Sequence, residues 1–509
     1  MAEHRTAVID LGSNSFRLVV FTAADGWWKR TDEIYEAVRI GQGLEATGKL
    51  GSKPIKRALQ TIDVFAHFCR SQGIDPPDIQ AVATSAIRDA SNQAEFLTEV
   101  KDETGLDVRV LSREEEARCG YLAAVNSTTL ADGAVLDLGG GSLQLVEVKG
   151  RHSGALGSWP LGSVRMTEHF LSESEGTTKK ERRALRAYVE ETLSEEAAWL
   201  PRSGRRIVGI GGTMRNLAAA AQARAGEPSV GVQGYRITRE ALNDLIHELA
   251  DLPAAERGGV KGIKFARADL ILAGAIVVRA VLEFGDFEAI EVTEAGLREG
   301  IFFGSYLDGE PPLFDDVRRA SVLNLAARYH VDPAHTEHVA KLAAGLFDQL
   351  AAAGLHDGDP IERELLVAAC ALHDIGMSVD YDDHHKHSRY LILNAGLAGF
   401  EPREVALIAQ AARYHRKGMP DFGELAPLAA EGDQERLDRL SALLRLAEDL
   451  ERSRDQTVHA AHVASDNGTI SLELEADGAA SVERWAVERE VELFDRAFKR
   501  KLKVEAPTG

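Results

Sequence analysis

Cysteine is scarce in this sequence, positive charge is in deficit, and no apolar run is long. The 3 cysteines among the 509 residues, Cys69, Cys119 and Cys370, lie far apart and form no C-x-x-C pair. We therefore expect free, buried thiols in a reducing compartment. The longest apolar stretch, Leu270 to Val278, is too short to cross a bilayer. The first residues enter a strand pattern directly, without the regions of a signal peptide, so we expect a cytoplasmic location.

The charge balance argues against two classes of partner. The chain has 59 Lys and Arg residues against 80 Asp and Glu residues, a formal net charge of -21 at pH 7. A protein this acidic repels nucleic acids and anionic membranes, and we expect neither as a partner. If the substrate is itself a polyanion, local basic residues and backbone N–H groups must bind it against the overall field.

One segment occurs twice. Ala7–Phe21 and Ala134–Val148 carry the same residue at eight of their fifteen aligned positions. Each copy is a strand pattern, a tight turn of Gly, Ser or Asn, and a second strand pattern, which is typical of a β-hairpin. Asp10 and Asp137 precede the two turns. A hairpin used twice in this way predicts two related lobes that face one another.

A third glycine turn lies in Ile207–Leu217, where a strand pattern leads through Gly-Gly-Thr into a helix that Thr213 would cap. Strand and helix patterns alternate through this part of the chain, which predicts an α/β architecture. The expected helices are 55–72, 92–104, 113–124, 178–200, 238–250 and 266–284.

The pattern changes after Phe303. Asp308–Asp316 has the composition of a turn-rich linker. Residues 317–453 are rich in Ala and Leu with a period near 3.6, which predicts an all-helical domain. Residues 454–509 alternate and then become helical, so we expect a small α/β tail.

The glycine turns have the composition of phosphate-binding loops. Such a turn after a strand points several backbone N–H groups into one concavity that binds phosphate oxygens. The carboxylates of Asp10 and Asp137 would repel phosphate unless a cation lies between them, and their hard oxygen atoms suit Mg²⁺. Hairpin turns without any ligand are the alternative. The predicted phosphate contacts are Ser13, Asn14, Ser15, Gly140, Gly141, Ser142, Gly211, Gly212 and Thr213.

Charged residues near the turns are candidates for phosphate binding and for the general base. Arg17 follows the first turn and Arg88 follows a strand end, and guanidinium groups bind phosphate oxygens in pairs. Glu114, Glu115 and Glu116 begin a predicted helix. Two of these three glutamates are expected to act only as helix-terminus partners. Hydrolysis of a phosphate needs a general base, and a carboxylate near the turns is the natural candidate.

Seven short segments, in order along the chain, together resemble a known protein family. Together they resemble the exopolyphosphatase/guanosine-pentaphosphate phosphatase family over most of residues 6–305. The resemblance implies two ribonuclease-H-like lobes of the actin, hexokinase and Hsp70 type, at 1–128 and 129–307. The segments are VIDLGSNSFRLVV, AVATSAIRDA, LSREEEARCGYLA, VLDLGGGSLQLVEV, LGSVRMTE, IVGIGGT and GLREGI.

The resemblance also implies roles for single residues. Glu116 matches the family's catalytic base, and Asp137 matches a carboxylate of its metal site. The positions that match phosphate contacts are Arg17, Arg88, Ser142 and Arg165. One position departs from the family, whose second hairpin usually has a glutamate where this chain has Gln144. We expect weaker activity or a different metal dependence from that amide.

A basic run begins the helix predicted after Thr178. Lys179 and Lys180 are candidate contacts for a long anionic substrate, and a solvated helix start is the alternative.

The helical region 317–453 places one ligand-type residue or pair on each of several helices. His338, His373, Asp374, His415 and Asp449 could converge on one metal inside a bundle.

Further histidines could hold a second metal: His384, His385 and His387. The His-Asp-Ile-Gly sequence and the segments HHKHSRYLILNAGLAGFEP and ARYHRKGMP resemble the HD-type domain of the family's long members. The resemblance implies a transition metal there, or instead a role in gripping substrate and forming a homodimer.

The leading prediction is an exopolyphosphatase that releases terminal phosphate from polyphosphate by Mg²⁺-dependent attack of water. Conversion of guanosine pentaphosphate (pppGpp) to the tetraphosphate is the first alternative. A kinase or ATPase of the same fold and a non-catalytic alarmone sensor also stay open.

Overall fold

The computed structural model of the chain describes residues 3–172, 176–466 and 468–505. The chain divides into two compact units, Met1–Val317 and Arg318–Gly509. Across the described residues, no helix combines the length and apolar character that a membrane span requires.

The first unit begins with a five-stranded sheet in the order β3-β2-β1-β4-β5. β1 pairs antiparallel with β2, and it pairs parallel with β4 on its other side. The strands are β1 (His4–Leu11), β2 (Phe16–Ala24), β3 (Trp27–Glu36), β4 (Ile79–Ala83) and β5 (Val108–Val110). The accompanying helices are α1 (Leu44–Thr47), α2 (Ser52–Ser71), α3 (Ser85–Arg88), α4 (Gln93–Thr104) and α5 (Arg113–Val125).

A six-stranded sheet in the order β10-β11-β9-β6-β7-β8 completes the first unit. Its strands are β6 (Gly133–Leu138), β7 (Leu143–Lys149), β8 (His152–Trp159), β9 (Ile207–Ile210), β10 (Tyr235–Thr238) and β11 (Ala289–Val292). Its helices are α6 (Ser163–Phe170), α7 (Lys179–Glu196), α8 (Gly212–Ala225), α9 (Arg239–Asp251), α10 (Ile271–Phe284) and α11 (Leu297–Tyr306). α10 is apolar on nearly all sides because it lies inside the main core of this half.

The repeated segment is a repeated structure. In both sheets a strand pairs antiparallel with the next strand and parallel with a later one, β4 beside β1 and β9 beside β6. Asp10 pairs with Arg17 across the first hairpin, and Asp137 pairs with Gln144 across the second. The two hairpins predicted from the sequence are therefore confirmed, and the two sheets share their central topology.

Helices α5 and α11 lie on the two sheets and contact each other. The buried face of α5 packs with β6, β7 and β9, while Ile301, Phe302 and Phe303 of α11 pack with β1, β2 and β4. A side chain at Gly300 would clash with the carbonyl of Cys119, so a glycine is needed where the two helices meet. This pair holds the ends of both hairpins close together.

The segment predicted as a linker belongs to the first unit. The side chain of Asn126 donates to Pro312 O at 3.0 Å and accepts from Phe314 N at 2.9 Å. Phe314 packs against the core beside Phe303. The turn composition was recognised correctly, but apolar residues within it anchor the segment to α5 and α11.

The second unit begins with helices and ends with a three-stranded sheet, ordered β12-β13-β14. The first helices are α12 (Val317–Arg328), α13 (Pro333–Ala352), α14 (Pro360–Leu372), α15 (His384–Asn394), α16 (Pro402–Tyr414) and α17 (Asp433–Leu450). The last elements are β12 (Val458–Asp466), β13 (Thr469–Ala476), α18 (Ser481–Val487), α19 (Val491–Phe498) and β14 (Lys501–Glu505). Residues 467 and 506–509 of the predicted tail lie outside the described residues.

Candidate functional site

The turns of the two hairpins meet at one polar pocket. Ser13 Oγ lies 2.9 Å from Ser85 Oγ, and a Cβ at Gly141 would lie 2.5 Å and 2.8 Å from these two atoms. Gly141 therefore allows the second turn to approach the first turn and the start of α3. The predicted residues that line the pocket are Asp10, Ser13, Asn14, Ser15, Arg17, Glu116, Asp137, Gly140, Ser142, Gly211 and Gly212.

The N-terminus of α8 also faces this pocket. Its N-cap is Gly211 with φ 98°, a conformation that favours glycine, and the helix begins at Gly212. The first N–H groups of a helix have no partner within the helix and carry partial positive charge. Gly212 lies against the guanidinium of Arg267, where a side chain would collide. The pocket therefore combines a helix N-terminus with two glycine turns, as an anion site requires.

Thr213 does not cap α8 as predicted. Because the helix begins one residue earlier, Thr213 lies within α8 rather than at its cap. Its side chain is buried, and a Cβ at Gly274 would lie 2.5 Å from its Cγ2. The Thr213 methyl group thus packs against α10.

Three carboxylates lie in the pocket: Asp10, Glu116 and Asp137. Burial, together with the nearby carboxylates of Glu116 and Asp10, raises the pKa of Asp137 to about 7. Burial also raises the pKa of Asp10, although Arg298 opposes this by donating to Asp10 Oδ2 at 3.0 Å. Asp137 is therefore a buried carboxylate close to two others, with Arg215 and Arg298 acting against the rise of its pKa.

The capping of α5 gives the three adjacent glutamates different environments. Ser112 accepts from Glu115 N, and the Glu115 carboxylate accepts from Ser112 N in return, which completes a capping box. Glu114 is exposed, whereas Glu116 is only 7% exposed. Glu116 is thus the one of the three glutamates that the helix turns into the pocket.

Glu116 is held by an arginine and an amide. Arg88 Nη1 donates to Glu116 Oε2 at 2.7 Å and to Leu111 O at 3.0 Å. Gln144 donates to Ser142 Oγ at 2.7 Å and also bonds the Glu116 carboxylate. Burial raises the pKa of Glu116, and these two donors act against that rise. Gln144 therefore adds a donor where a carboxylate would have added a further negative charge.

Sequence reasoning missed three arginines that line the pocket with Arg17: Arg215, Arg267 and Arg298. Burial, together with the positive charge of Arg298, lowers the pKa of Arg215 to about 10. Arg298 Nε is a buried donor that lacks a partner among the described residues, as does Asn14 Nδ2. Such unpaired donors fit an anionic ligand. In the sequence, two features pointed to these arginines: the glycine before the helix that carries Arg298, and the Gly-Gly turn before Arg215.

Besides Gly141 and Thr213, four predicted contacts lie outside the pocket lining. Arg88 stands behind Glu116, and Arg165 pairs with Asp89 at 2.6 Å and Glu45 at 3.1 Å. Lys179 and Lys180 are exposed at the start of α7, where Lys179 lines a separate groove.

The acidic residues fit a magnesium site of the kind completed by substrate. Within the described chain, Asp10, Glu116 and Asp137 are not a compact set of three ligands with all atoms within 4.8 Å. Mg²⁺ is usually bound through one or two carboxylates, with waters and phosphate oxygens filling its other positions. The three neighbouring carboxylates of the pocket, with their hard oxygen donors, match that pattern.

The second unit brings several of the predicted ligands together. His335, His373 and Asp374 form one group with ligand atoms within 4.8 Å of one another, and Asp374, His384 and His415 form another. His335 lies on α13 and His384 on α15, while His373, Asp374 and His415 follow the last residues of α14 and α16, so only the tertiary fold unites them. His335 was missed from the sequence.

Four predicted or considered ligands belong to neither group in the described chain: His338, His385, His387 and Asp449. His338 Nε2 donates to Val458 O at 2.8 Å instead. Glu448, the residue before Asp449, lies 3.2 Å from His373 Nε2. Adjacent helical residues point about 100° apart, and the sequence did not show which of these two acids faces inward.

Comparison with known proteins shows which family the chain is similar to. The Ppx/GppA phosphatase family model matches residues 19–308, which is more than half of the 509 residues, and the Ppx/GppA phosphatase domain III model matches residues 317–490. The crystal structure of the Aquifex aeolicus member of the Ppx/GppA family is 30% identical, with a TM-score of 0.51 over 59% of this chain and 97% of that chain.

A second Aquifex aeolicus structure, of a PPX-GPPA enzyme, is 31% identical, with a TM-score of 0.50 over 59% of this chain and 99% of that chain. An exopolyphosphatase from Cytophaga hutchinsonii, 23% identical, shares the fold with a TM-score of 0.55 over 59% of this chain and 97% of its own. The chain has the actin-like N-terminal lobes of these neighbours, and it belongs to the Ppx/GppA phosphatase family.

Proposed function

We propose that this phosphatase is an exopolyphosphatase, which releases terminal inorganic phosphate from polyphosphate with Mg²⁺. The observation that carries the proposal is the pocket itself, where two glycine turns, a helix N-terminus and four arginines surround a buried glutamate. This combination suits a group with several negative oxygens, and the glutamate gives it a base.

The terminal phosphate is bound by fixed donors. Backbone N–H groups of the two turns and of α8 point at its oxygens, and Arg17, Arg215 and Arg298 oppose its charge. These donors need little rearrangement, because the turns are in contact and the arginines are at least partly buried. Such preorganisation favours the charge that spreads over the phosphoryl oxygens during transfer.

Glu116 activates the water. Its carboxylate accepts a proton as the water oxygen forms a bond to the terminal phosphorus. The phosphoanhydride P–O bond breaks, and its electron pair leaves with the shortened chain. Arg88 keeps Glu116 in place through the 2.7 Å hydrogen bond. The role is that of a positioned base acting on a dissociative phosphoryl transfer.

Asp10 and Asp137 would hold Mg²⁺ at this pocket. When bound, the ion supplies positive charge that offsets the charge of the phosphate oxygens. Because Arg298 already donates a hydrogen bond to Asp10 Oδ2, the Asp10 carboxylate would be shared between Arg298 and the ion.

The pocket lining favours a phosphate chain over a nucleotide. Among the described residues that line it, none is aromatic, so a guanine ring would find no stacking surface inside the pocket. A polyphosphate chain needs only the repeated charge contacts that the lining offers. This supports polyphosphate as substrate and leaves pppGpp as the alternative to be tested.

Phosphate release from four substrates tests the proposal: long polyphosphate, tripolyphosphate, pppGpp and ATP. We expect the highest kcat/KM with polyphosphate, dependence on Mg²⁺, and no requirement for an acceptor other than water. A higher kcat/KM for pppGpp would reassign the substrate. Release only in the presence of an acceptor would indicate a kinase, and absence of turnover with all four would indicate a sensor.

A further inference from the structure

A groove rich in cations lies among three helices of the first unit, α7, α9 and α10. Its volume is about 290 Å³. Five of its eight lining residues are cationic, and none of those that the structure describes is acidic. The chain as a whole has the opposite balance, with 59 Lys and Arg residues against 80 Asp and Glu residues. The five cations are Lys179, Arg182, Arg183, Arg186 and Arg279.

Four of these cations form one stripe along α7. Lys179, Arg182, Arg183 and Arg186 have the spacing i, i+3, i+4, i+7, which places side chains on one face of a helix. Like charges at these spacings repel and destabilise the helix. Lys179 is also the first residue of α7, where the helix dipole already carries partial positive charge. The stripe therefore lowers the stability of α7, and an anion lying along it would offset that loss.

Two carboxylates near the groove pair with the cations at its end. Glu190 accepts from Arg186 Nε at 2.7 Å, and Glu283 accepts from Arg279 Nε at 2.9 Å. These contacts neutralise Arg186 and Arg279 and leave the other three cations of the groove without a carboxylate.

Glu181, in the first turn of α7, does not neutralise the stripe. Its carboxylate accepts from Thr178 N at 2.7 Å within the capping box of the helix. Across the part of the chain that the structure describes, Lys179, Arg182 and Arg183 form no ion pair. Neighbouring cations without partners suit a ligand with several negative charges.

The floor of the groove is apolar. Ile246 of α9 and Ile276 of α10 line it and are only 4% and 5% exposed. His247, the next residue of α9, lines the groove with an exposed imidazole. A chain of phosphates gains nothing from an apolar surface, whereas a flat ring gains from burial and from stacking on the imidazole. The groove thus offers one surface to phosphate groups and another to a ring.

The stripe is also short. At the rise of an α-helix, Lys179 and Arg186 are separated by about 10 Å along the axis. That length accommodates the few phosphate groups of a nucleotide, whereas a long polyphosphate would extend beyond it. Among the residues described, the groove and the phosphate pocket share no lining residue. A ligand of the groove would therefore not take the place of the substrate.

We propose that this groove is a nucleotide-binding site, separate from the phosphate pocket. The di- or triphosphate lies along the α7 stripe, and α10 contributes Arg279. The base lies on Ile246 and Ile276 and stacks on His247. Charge-assisted hydrogen bonds from the guanidinium groups bind the phosphates, and burial of the base distinguishes a nucleotide from inorganic polyphosphate.

The first experiment measures binding of a fluorescent probe to the full-length chain. The probe is the N-methylanthraniloyl derivative of β,γ-imido adenosine triphosphate, which resists hydrolysis. We expect saturable binding, weakened at least about tenfold by Arg183→Gln because a charge-assisted hydrogen bond is lost. Lys180→Gln is the matched control and should bind as the unaltered chain does, since Lys180 is an exposed cation of the same helix outside the groove lining.

Arg17→Gln separates the groove from the phosphate pocket, which Arg17 lines. Probe binding should survive this change, and thermal unfolding shows whether each variant is folded. Without nucleotide, Arg183→Gln should release phosphate from tripolyphosphate at the unaltered rate. Binding of the probe does not depend on which substrate the phosphate pocket hydrolyses. The proposal is overturned if no probe binds, if Arg183→Gln and Lys180→Gln bind it equally, or if Arg17→Gln abolishes binding.

The second experiment displaces the probe with competitors that differ in the nucleoside. α,β-Methylene adenosine diphosphate is compared with methylenediphosphonate, which carries the same charged groups without the nucleoside. We expect the nucleotide to compete at least about tenfold more tightly, because burial of the base adds to the phosphate contacts. Long polyphosphate is the third competitor, used with the Glu116→Gln chain to limit turnover. Equal competition by the nucleotide and methylenediphosphonate, or stronger competition by polyphosphate at equal chain concentration, would overturn the assignment to nucleotides.

Discussion

Burial and two hydrogen-bond donors act in opposite directions on Glu116. Burial favours its neutral form, while Arg88 and Gln144 favour the carboxylate that a general base needs. The balance makes Glu116 the residue whose loss should affect chemistry more than binding. The same reasoning separates it from Glu114, which is exposed two residues earlier on the same helix.

Glu116→Gln should lower kcat on polyphosphate by at least ~10²-fold with little change in KM, because the shape remains while the proton acceptor is lost. Steady-state phosphate release measures both constants. Glu114→Gln is the matched control and should resemble the unaltered chain. Near-normal turnover by Glu116→Gln would remove Glu116 from the mechanism.

Arg88→Gln should move the acid limb of the kcat–pH profile to higher pH. The folded pKa of Glu116 is raised above its usual 4.5, and the base works only when deprotonated, so kcat rises as pH increases through that pKa. Removing Arg88 removes a group that lowers the pKa, so the limb shifts upward and the activity loss is largest at low pH. Profiles from about pH 5 to 9 test this. In Arg165→Gln, where the arginine pairs with Asp89 and Glu45, the limb should not move.

Asp137→Asn should abolish the stimulation of phosphate release by Mg²⁺. Burial and then the carboxylates of Glu116 and Asp10 raise the pKa of Asp137 to about 7, and a divalent cation would relieve the repulsion between these carboxylates. The amide removes one charge and one anionic ligand. Mg²⁺ titrations compare this variant with Asp107→Asn, which alters an exposed carboxylate paired with Lys101. Overlapping titrations of Asp137→Asn and the unaltered chain would place the ion elsewhere.

At the scale of elements, the contact between the two hairpin turns depends on Gly141. Gly141→Ala should reduce kcat/KM by about 10²-fold, because displacing a turn by a fraction of an ångström misaligns its N–H groups with the phosphate. Gly139→Ala is the control in the same turn, since its added Cβ would meet only Ser142 O at 3.5 Å, an ordinary contact. Equal activity of both variants would show that the turns need not touch.

Local patterns predicted the hairpins well and the convergent side chains poorly. The hairpins follow from neighbouring residues, because alternation and a glycine turn specify them within a short segment. Arg215, Arg267 and Arg298 enter the pocket from separate elements, so their meeting depends on how both sheets fold. The expected helix 266–284 begins at Ile271 because a 3₁₀ turn, Phe265–Arg267, precedes it. That turn carries Arg267 toward the pocket.

The second unit shows the same limit. Its helical character follows from composition and period, but the inward-facing ligands depend on rotation about each helix axis. His335 and His338 lie three residues apart on α13. His335 nevertheless lies with His373 and Asp374 in one group of possible metal ligands, whereas His338 bonds the strand at Val458. A shift of less than one turn therefore decides which histidine is available to a metal.

At the scale of the whole molecule, the boundary between units decides which truncation can fold. Residues 308–316 carry Leu313 and Phe314, which pack against the first unit, and Asn126 bonds the backbone of this segment. A chain that ends at Leu307 would expose those contact surfaces, so it should melt at a lower temperature than one that ends at Val317. Thermal unfolding of the two truncated chains measures the difference.

The chain ending at Val317 should hydrolyse tripolyphosphate nearly as well as the full chain but lose processivity on long polyphosphate. Its pocket keeps every residue proposed for chemistry, while the basic residues of the second unit, including Arg413, Arg416 and Lys417, are removed. An acidic protein repels a long polyanion, so each lost basic contact shortens the time that the substrate remains attached between cleavages. On a gel, the full chain should leave intact polyphosphate beside free phosphate, and the truncated chain should give a shrinking ladder. The truncated chain should also be less sensitive to salt, since fewer phosphates are contacted. If it leaves only intact chains and phosphate, the second unit does not grip the substrate.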